Sequence, residues 1–443
     1  MRELLENLES RNLELVREAL PQFQEVEIAE EIVRLELIDQ AVLFRLLSKD
    51  GAISVFEKLA PTDQANLLNA LRADEVNDII EELDPDDRAR LFDEVPAGVA
   101  VRLLEGVSAK EKFATTTLLG YAPQSAGRIM TPQFVSIKEN LTAAQAMKRV
   151  RNAGISAETI YILYVVDATR RLIRTLSLKE LVLAAPNKKI INLATKANLI
   201  VAHTDEDQED VARRLADNDL LAIPVVDREN RLVGIITHDD AFAVLEQEAT
   251  EDVSKIGGAN PIDRPYMAAG VLRIFRSRIG WLLVLFLAAT LTGSVMKLFE
   301  ASLEAVIALT FFIPLLIGTG GNAGSQTATT IVRAMAIKEI RTKDVLRVVW
   351  KEMRVGLLLG LAMAAFAIFR AVTWGTGYEI ALVVALALFG VVLLATFVGS
   401  VLPIAINKLG LDPAVVSAPF MTTLVDAAGL LIYLSFAKLI LGI

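Results

Sequence analysis

Cysteine is absent from this 443-residue chain, which excludes a disulfide framework and any thiolate zinc site. Histidine is almost absent: His203 and His238 are the only two, so no His-Glu-x-x-His motif exists to hold a catalytic zinc, and an intramembrane metalloprotease is excluded. No Gly-Lys-Ser/Thr closes the glycine-rich run that ends at Gln326, so that run is no P-loop. The opening MRELLENLES lacks an apolar core and does not read as a cleaved signal peptide. Acidic residues are scarce in one region only. Residues 266–443 carry 8 Asp and Glu against 14 Lys and Arg, a net of +6, whereas residues 1–265 carry 46 against 31, a net of −15. The first part reads as an acidic soluble region and the second as a membrane region. That acidity argues against nucleic acid as a partner and suits divalent cations.

Within the soluble region an apolar residue recurs every twelve positions: Leu47, Leu59, Leu71, Leu83, Val95 and Val107. Helix-start clusters follow, among them Ala60-Pro61-Thr62-Asp63, Asp84-Pro85-Asp86-Asp87 and Val95-Pro96-Ala97-Gly98. One short helix plus a turn fills each period, so residues 1–128 read as an all-helical superhelix of stacked units. An internal repeat with a 60-residue offset comes next. Tyr164-Val165-Val166-Asp167 with Arg171-Leu172, Ser177 and Glu180 is matched by Pro224-Val225-Val226-Asp227 with Arg231-Leu232, Thr237 and Asp240. Each copy reads strand, tight turn, strand, capped helix, an α/β unit over residues 129–240. A helix with an acidic face (Glu246, Glu248, Glu251, Asp252) connects it, over 241–265, to the last region.

Five stretches approach or exceed the ~20 residues needed to cross a bilayer: 279–298, 303–331, 355–373, 380–403 and 413–440. They make residues 266–443 a five-helix transmembrane domain. Arg273, Arg276 and Arg278 precede the first, and Arg333, Lys338, Arg341, Lys343, Arg347, Lys351 and Arg354 separate the second from the third. The positive-inside rule then places the N-terminus in the cytoplasm and the C-terminus outside, in a multi-pass protein of the cell (inner) membrane. Asp426 is the one acid deep inside any of these stretches. A carboxylate at the bilayer centre costs roughly 2.5–3.5 kcal/mol or more, so it faces a pore, an ion or a partner. Thr422 lies one turn before it on the same face, and Pro413 and Pro419 suggest freed backbone carbonyls near it. The second stretch ends in Gly318-Thr319-Gly320-Gly321-Asn322-Ala323-Gly324-Ser325-Gln326, a run suited to close helix contact or to exposed backbone at a pore. Candidate pore-lining residues are therefore Gly320, Asn322, Gly324, Gln326, Thr422 and Asp426. A two-fold homodimer would set two Asp426 carboxylates about one axis.

The two 60-residue copies resemble a tandem pair of CBS domains, with Leu232-Val233-Gly234-Ile235-Ile236-Thr237-His238-Asp239-Asp240 the most typical stretch. That resemblance implies a nucleotide such as ATP held at Thr237 and Asp240. The first copy departs from the pattern, with Arg174 in place of Gly and Glu180 in place of Asp, which weighs against it. Taken whole, the chain resembles the MgtE family of magnesium channels. The Gly318-to-Gln326 run, Glu246-Gln247-Glu248-Ala249-Thr250-Glu251-Asp252 and Leu424-Val425-Asp426-Ala427-Ala428-Gly429 carry the likeness. It implies a non-enzymatic homodimer that imports Mg²⁺, with a selectivity carboxylate at Asp426 and a plug formed by the connecting helix. It also implies a cytosolic Mg²⁺ sensor at Asp86, Asp87, Asp219, Asp240, Glu248, Glu251 and Asp252. Ala243 stands where some relatives have Asp. The alternative cargo is another divalent cation, Co²⁺, Mn²⁺ or Zn²⁺; the lack of Cys and of any His or Met cluster near the pore favours a hard ion.

Overall fold

A computed structural model of the chain describes all residues except 96, 194–198, 263–265, 267–268 and 443. Pro96 of the third helix-start cluster and the last three positions of the connecting segment therefore lie outside the described residues. Two compact units form, one built from Met1–Glu248, the other from Ala249–Ile262 together with the segment from Gly270 onward.

The twelve-residue period is one helix plus one link. Helices run Lys49–Glu57, Pro61–Ala70, Ala73–Glu82, Pro85–Glu94, Ala97–Gly106 and Ala109–Leu119. The periodic residue is not on a helix. Leu47, Leu71, Leu83 and Val95 sit just past a helix end, with ψ between 144° and 162°. Leaving the helix there turns the side chain back between successive helices, and Leu59, Leu83, Val95 and Val107 are buried in one shared core. Pro61 and Pro85 occupy first-turn positions, where the missing N–H has no helical acceptor to lose.

Among the described residues one charged side chain is enclosed completely. The Arg88 guanidinium is 0% exposed and donates to Ile80 O (2.7 Å), Glu81 O (3.2 Å) and Leu83 O of the preceding helix and its link. It also reaches Glu111 Oε2 (3.0 Å) and Thr115 Oγ1 (2.9 Å) on the helix Ala109–Leu119. With Glu111 O (3.3 Å), six acceptors converge on one rigid fork, which locks three helices. Arg88→Met keeps the apolar stem but orphans those acceptors, so it should cost about 3–5 kcal/mol. Urea unfolding followed by helical circular dichroism measures it; a loss under about 1 kcal/mol would mean that water replaces the guanidinium without penalty.

The repeat forms two three-stranded sheets. Phe134–Lys138 pairs parallel with Thr159–Val166, which pairs antiparallel with Leu172–Ser177. Ala202–His203, Ala222–Val226 and Leu232–Thr237 repeat that order. Asp167 Oδ1 accepts from the N–H of Thr169 and Arg171, and Asp227 Oδ1 from those of Glu229 and Arg231, so the Asp closes the same turn in both copies. The two turns dock on each other, Leu172 N–H donating to Asn230 O and Leu232 N–H to Arg170 O. Gly234 lies under Met130, whose Sδ is 2.5 Å from where a Cβ would stand, so a side chain there would force Met130 to move.

Among the described residues five helices are long and apolar enough to cross a membrane: Val271–Leu298, Ile307–Ala336, Val345–Trp374, Tyr378–Lys408 and Ala418–Leu441. The first and third start earlier than the hydrophobic runs, because the basic residues before them continue the helix instead of ending it. The second starts later: Glu300–Ala305 is a separate short helix, and the chain breaks at Val306. The fourth continues through Pro403 to Lys408. In the last, the expected freed carbonyls do not occur beside Asp426. Pro419 lies in the first turn, where it initiates the helix, and Asp426 sits in regular helix. It is the ninth of 24 residues, roughly 12 Å along the axis from the N-terminal end, and so well short of mid-span.

Candidate ion pathway and cation sites

The second and last spans meet at the residues singled out from sequence. Ser325 Oγ donates to Ala418 O (3.1 Å) and lies 3.5 Å from Thr422 Oγ1. A Cβ on Gly321 would stand 2.7 Å from Thr422 Cγ2, and one on Gly320 would meet Val391 at 2.5 Å and Val425 at 2.9 Å. Gly324 packs on Met421 and Val425. Within one chain Gly320, Gly321 and Gly324 are thus contact points for neighbouring helices. The backbone they present within the single chain is helical and covered. The other side of this span differs: Gly318, Asn322, Gln326 and Thr330, four residues apart, are all exposed. An exposed amide ladder on an apolar span is unsuited to lipid.

Asp426 lies one turn beyond Thr422, whose hydroxyl donates to Ala418 O (3.0 Å) rather than to the carboxylate. The Asp426 Oδ1 is enclosed and has no hydrogen-bond partner. Among the described residues no Ser, Thr or Lys of a neighbouring helix satisfies that oxygen. At the start of this span, Trp281 Nε1–H of the first span donates to Ser417 Oγ (3.1 Å), and Gly258 (φ +71°) packs against Trp281 and Pro419. The end of the connecting helix His238–Ile256 is thereby set beside the first turn of the Asp426 helix.

The soluble unit gathers a second set. Asp86, 8% exposed, has an enclosed Oδ1 with no partner. Asp87 is paired with Arg90, whose guanidinium is 3.9 Å from Asp240. Asp240 Oδ2 accepts from Thr237 Oγ1 (2.6 Å). Burial pushes the Asp240 carboxyl up to about 6, with Asp87 and Asp239 adding to the rise, while Thr237 and Arg90 oppose it. Burial, then Asp240 and Asp87, raise Asp86 well above the ordinary carboxylate range. Asp86, Arg90, Arg128, Gln208, Asp240 and Val244 line a cleft of about 450 Å³.

Two members of this cluster carried no sequence signal. Glu57 is pushed up to about 7 by burial and by Asp87 and Asp84. Glu158 is pushed up to about 7 by partial desolvation and by Asp84, Asp240, Asp239 and Asp87. Only the packing of helical part and repeats brings them to the same place. Of the remaining sensor candidates, Glu248 accepts from Gln208 Nε2 (3.1 Å) and Glu251 is paired with Lys255. Asp252 is partly buried, and Asp219 is exposed in a left-handed turn (φ 50°) and takes no part in these contacts. Among the described residues no three His, Asp or Glu groups form a cage for a bare metal ion. Thr237 and Asp240, the nucleotide candidates, are engaged with each other and with Arg90.

A set of five apolar helices with an enclosed carboxylate oxygen, joined to an acidic N-terminal unit, is the architecture of a multi-pass membrane protein. Residues 313–436 match the family described as divalent cation transporter, 23–124 the MgtE intracellular N domain, and 126–187 and 191–247 the CBS domain. A magnesium transporter MgtE of Thermus thermophilus is 43% identical over 341 residues, covering 77% of this chain and 75% of the relative. Its counterpart in Bacillus subtilis is 34% identical, covering 75% and 73%. The crystal structure of the cytosolic domain of the Mg²⁺ channel MgtE in complex with ATP superposes with a TM-score of 0.52 at 34% identity, over 54% of this chain and 98% of that one. The chain belongs to the MgtE family of divalent cation transporters. It is a multi-pass membrane protein and not an enzyme.

Proposed function

We propose that this protein conducts Mg²⁺ into the cytoplasm through a pathway that passes Asp426, and that cytosolic Mg²⁺ closes it. The observation that carries the reading is the enclosed, unpartnered Asp426 oxygen on an apolar span, together with the exposed Asn322 and Gln326 on the outer face of the span packed against it. Mg²⁺ dehydrates reluctantly, so the ion passes hydrated, its waters donating to the carboxylate and to the amides and Thr422. One carboxylate is a thin site for a divalent ion, and a homodimer supplies a second. Two unmatched surfaces of the single bundle support that assembly: the amide ladder, and a first span with no buried residue. The basic residues before the first span and between the second and third support a cytoplasmic position for the soluble unit. There Asp86, Asp87 and Asp240 form the sensor, joined by Glu57 and Glu158. Asp219, Glu248, Glu251 and Asp252 retain a place in it only through contacts with a second subunit or a bound ion. ATP, bound by the related cytosolic domain, is a second effector that would have to displace the Thr237–Asp240 bond.

The relatives' names favour Mg²⁺ over Co²⁺, Mn²⁺ or Zn²⁺. Flux into liposomes reconstituted with the full chain tests the reading, each cation being supplied outside with internal Mg²⁺ either absent or millimolar. Mg²⁺ entry that falls when the lumen facing the soluble unit holds Mg²⁺ is the expected result. Faster entry of Co²⁺ or Mn²⁺ than of Mg²⁺, or entry indifferent to internal Mg²⁺, would overturn it.

A further inference from the structure

We infer that Lys255 is a tethered cation that latches the connecting helix to the last span without metal. Its ammonium stands between two carboxylates from different elements: Glu251 one turn earlier on the same helix, and Asp412 Oδ2 at 2.6 Å in the loop before the last span. Asp412 is itself fixed, because its Oδ1 accepts from Ala414 N–H (2.8 Å) and so caps the turn Pro413–Val415. That turn leads into Ser417, the N-cap of the Asp426 helix. The geometry around the latch is snug. Gly258, at φ +71°, brings the chain under Trp281 and Pro419, and Asn260 N–H donates to Ser277 O (2.9 Å) on the first span.

Without Lys255, Glu251 and Asp412 would face each other as two like charges, the arrangement a divalent cation bridges. Lysine supplies one fixed positive charge in that place. It has three donors and a flexible stem, so it can satisfy both acids at once. The contact is only partly exposed, 29% for the lysine side chain and 37% for Asp412, which shields it better than an open surface pair. The inference deepens the reading of this helix as a plug: docking at this point is set by a built-in charge, and metal sensing is left to the other acids.

The absence of cysteine allows a direct test in the full-length protein in membranes. The pair Asn260→Cys with Ser277→Cys reports docking by disulfide yield under mild oxidant, independently of transport. Lys255→Met should lower that yield on the order of fivefold in chelator, the size of effect a partly shielded ion pair gives. Millimolar Mg²⁺ should restore it in that variant, by bridging Glu251 and Asp412, while changing the unmodified latch little. The swap Lys255→Asp with Asp412→Lys should recover the yield in chelator. An unchanged yield in Lys255→Met, or failure of both Mg²⁺ and the swap to recover it, overturns the latch. Because the readout is cross-linking, a latch that holds while flux ignores internal Mg²⁺ leaves this inference standing and removes the gating function proposed above.

Discussion

Asp426→Ala abolishes Mg²⁺ flux if the pathway runs past this carboxylate, and the loss should be at least on the order of a hundredfold. The estimate follows from what the oxygen does for a hydrated ion. Two coordinated waters donating to one carboxylate make two charge-assisted hydrogen bonds, roughly 1.5–3 kcal/mol each. Losing both removes about 3 kcal/mol or more, a hundredfold in occupancy at ~1.4 kcal/mol per decade. Alanine adds no compensating partner, because Thr422 already donates to Ala418 O and Thr423 to Pro419 O. Asp426→Asn separates shape from charge. It keeps an acceptor for water but removes the field that favours two charges over one, so it should retain some conduction and lose preference for Mg²⁺ over Na⁺ or K⁺. Neither change should unfold the bundle, since the enclosed Asp426 oxygen makes no hydrogen bond to a neighbouring helix. Flux in liposomes, with gel filtration to show an intact assembly, decides the matter. A well-folded Asp426→Ala protein that carries Mg²⁺ at the normal rate ends the proposal.

The bundle was legible from sequence because its signal is composition: five apolar runs with basic residues between them. Their ends were less so. A run of hydropathy stops where charge begins, yet a helix does not, and Arg347, Lys351 and Arg354 ride the third helix beyond its apolar part. The superhelix was legible as a period, although the repeating residue proved to be the link and not the helix. Proline misled in the last span. Its effect depends on whether it falls in the first turn or the interior, and Pro419 falls in the first turn. The glycine run divided by face, with Gly320 and Gly324 turned to neighbours and Asn322 and Gln326 turned away. A linear motif cannot show that division until the helical phase is fixed. The acidic cluster was the least legible. Asp86, Asp87 and Asp240 were expected as sensor residues through resemblance alone. Glu57 and Glu158 join them only because the fold brings the end of one short helix and the start of one strand within the field of Asp84 and Asp87, a relation no local pattern encodes.

That cluster carries the other large expected effect. Asp86, Asp87 and Asp240, with Asp84, Glu57 and Glu158 near them, have Arg90 as the guanidinium placed among them. Two carboxylates 4 Å apart repel by roughly 4 kcal/mol at an effective dielectric of 20, so closing the helical part on the repeats requires a cation or a proton. Asp86→Asn with Asp240→Asn removes both the repulsion and the ligands while keeping shape, and the amide oxygen introduced beside Thr237 can still accept from its hydroxyl. In chelator the soluble unit of this variant should already resist limited proteolysis as the unmodified protein does in millimolar Mg²⁺. Added Mg²⁺ should then change neither its cleavage nor its flux. The conservative partner experiment is Arg90→Gln, which takes away the resident cation. It should shift the opposite way, opening the unit further in chelator and steepening its response to Mg²⁺, because a divalent ion then meets one competing guanidinium fewer. Two opposite shifts from changes of opposite charge at neighbouring positions are what a cation-bridged switch requires. If both variants instead keep the Mg²⁺ midpoint of the unmodified chain, these acids are structural only, and the switch lies elsewhere in the assembly.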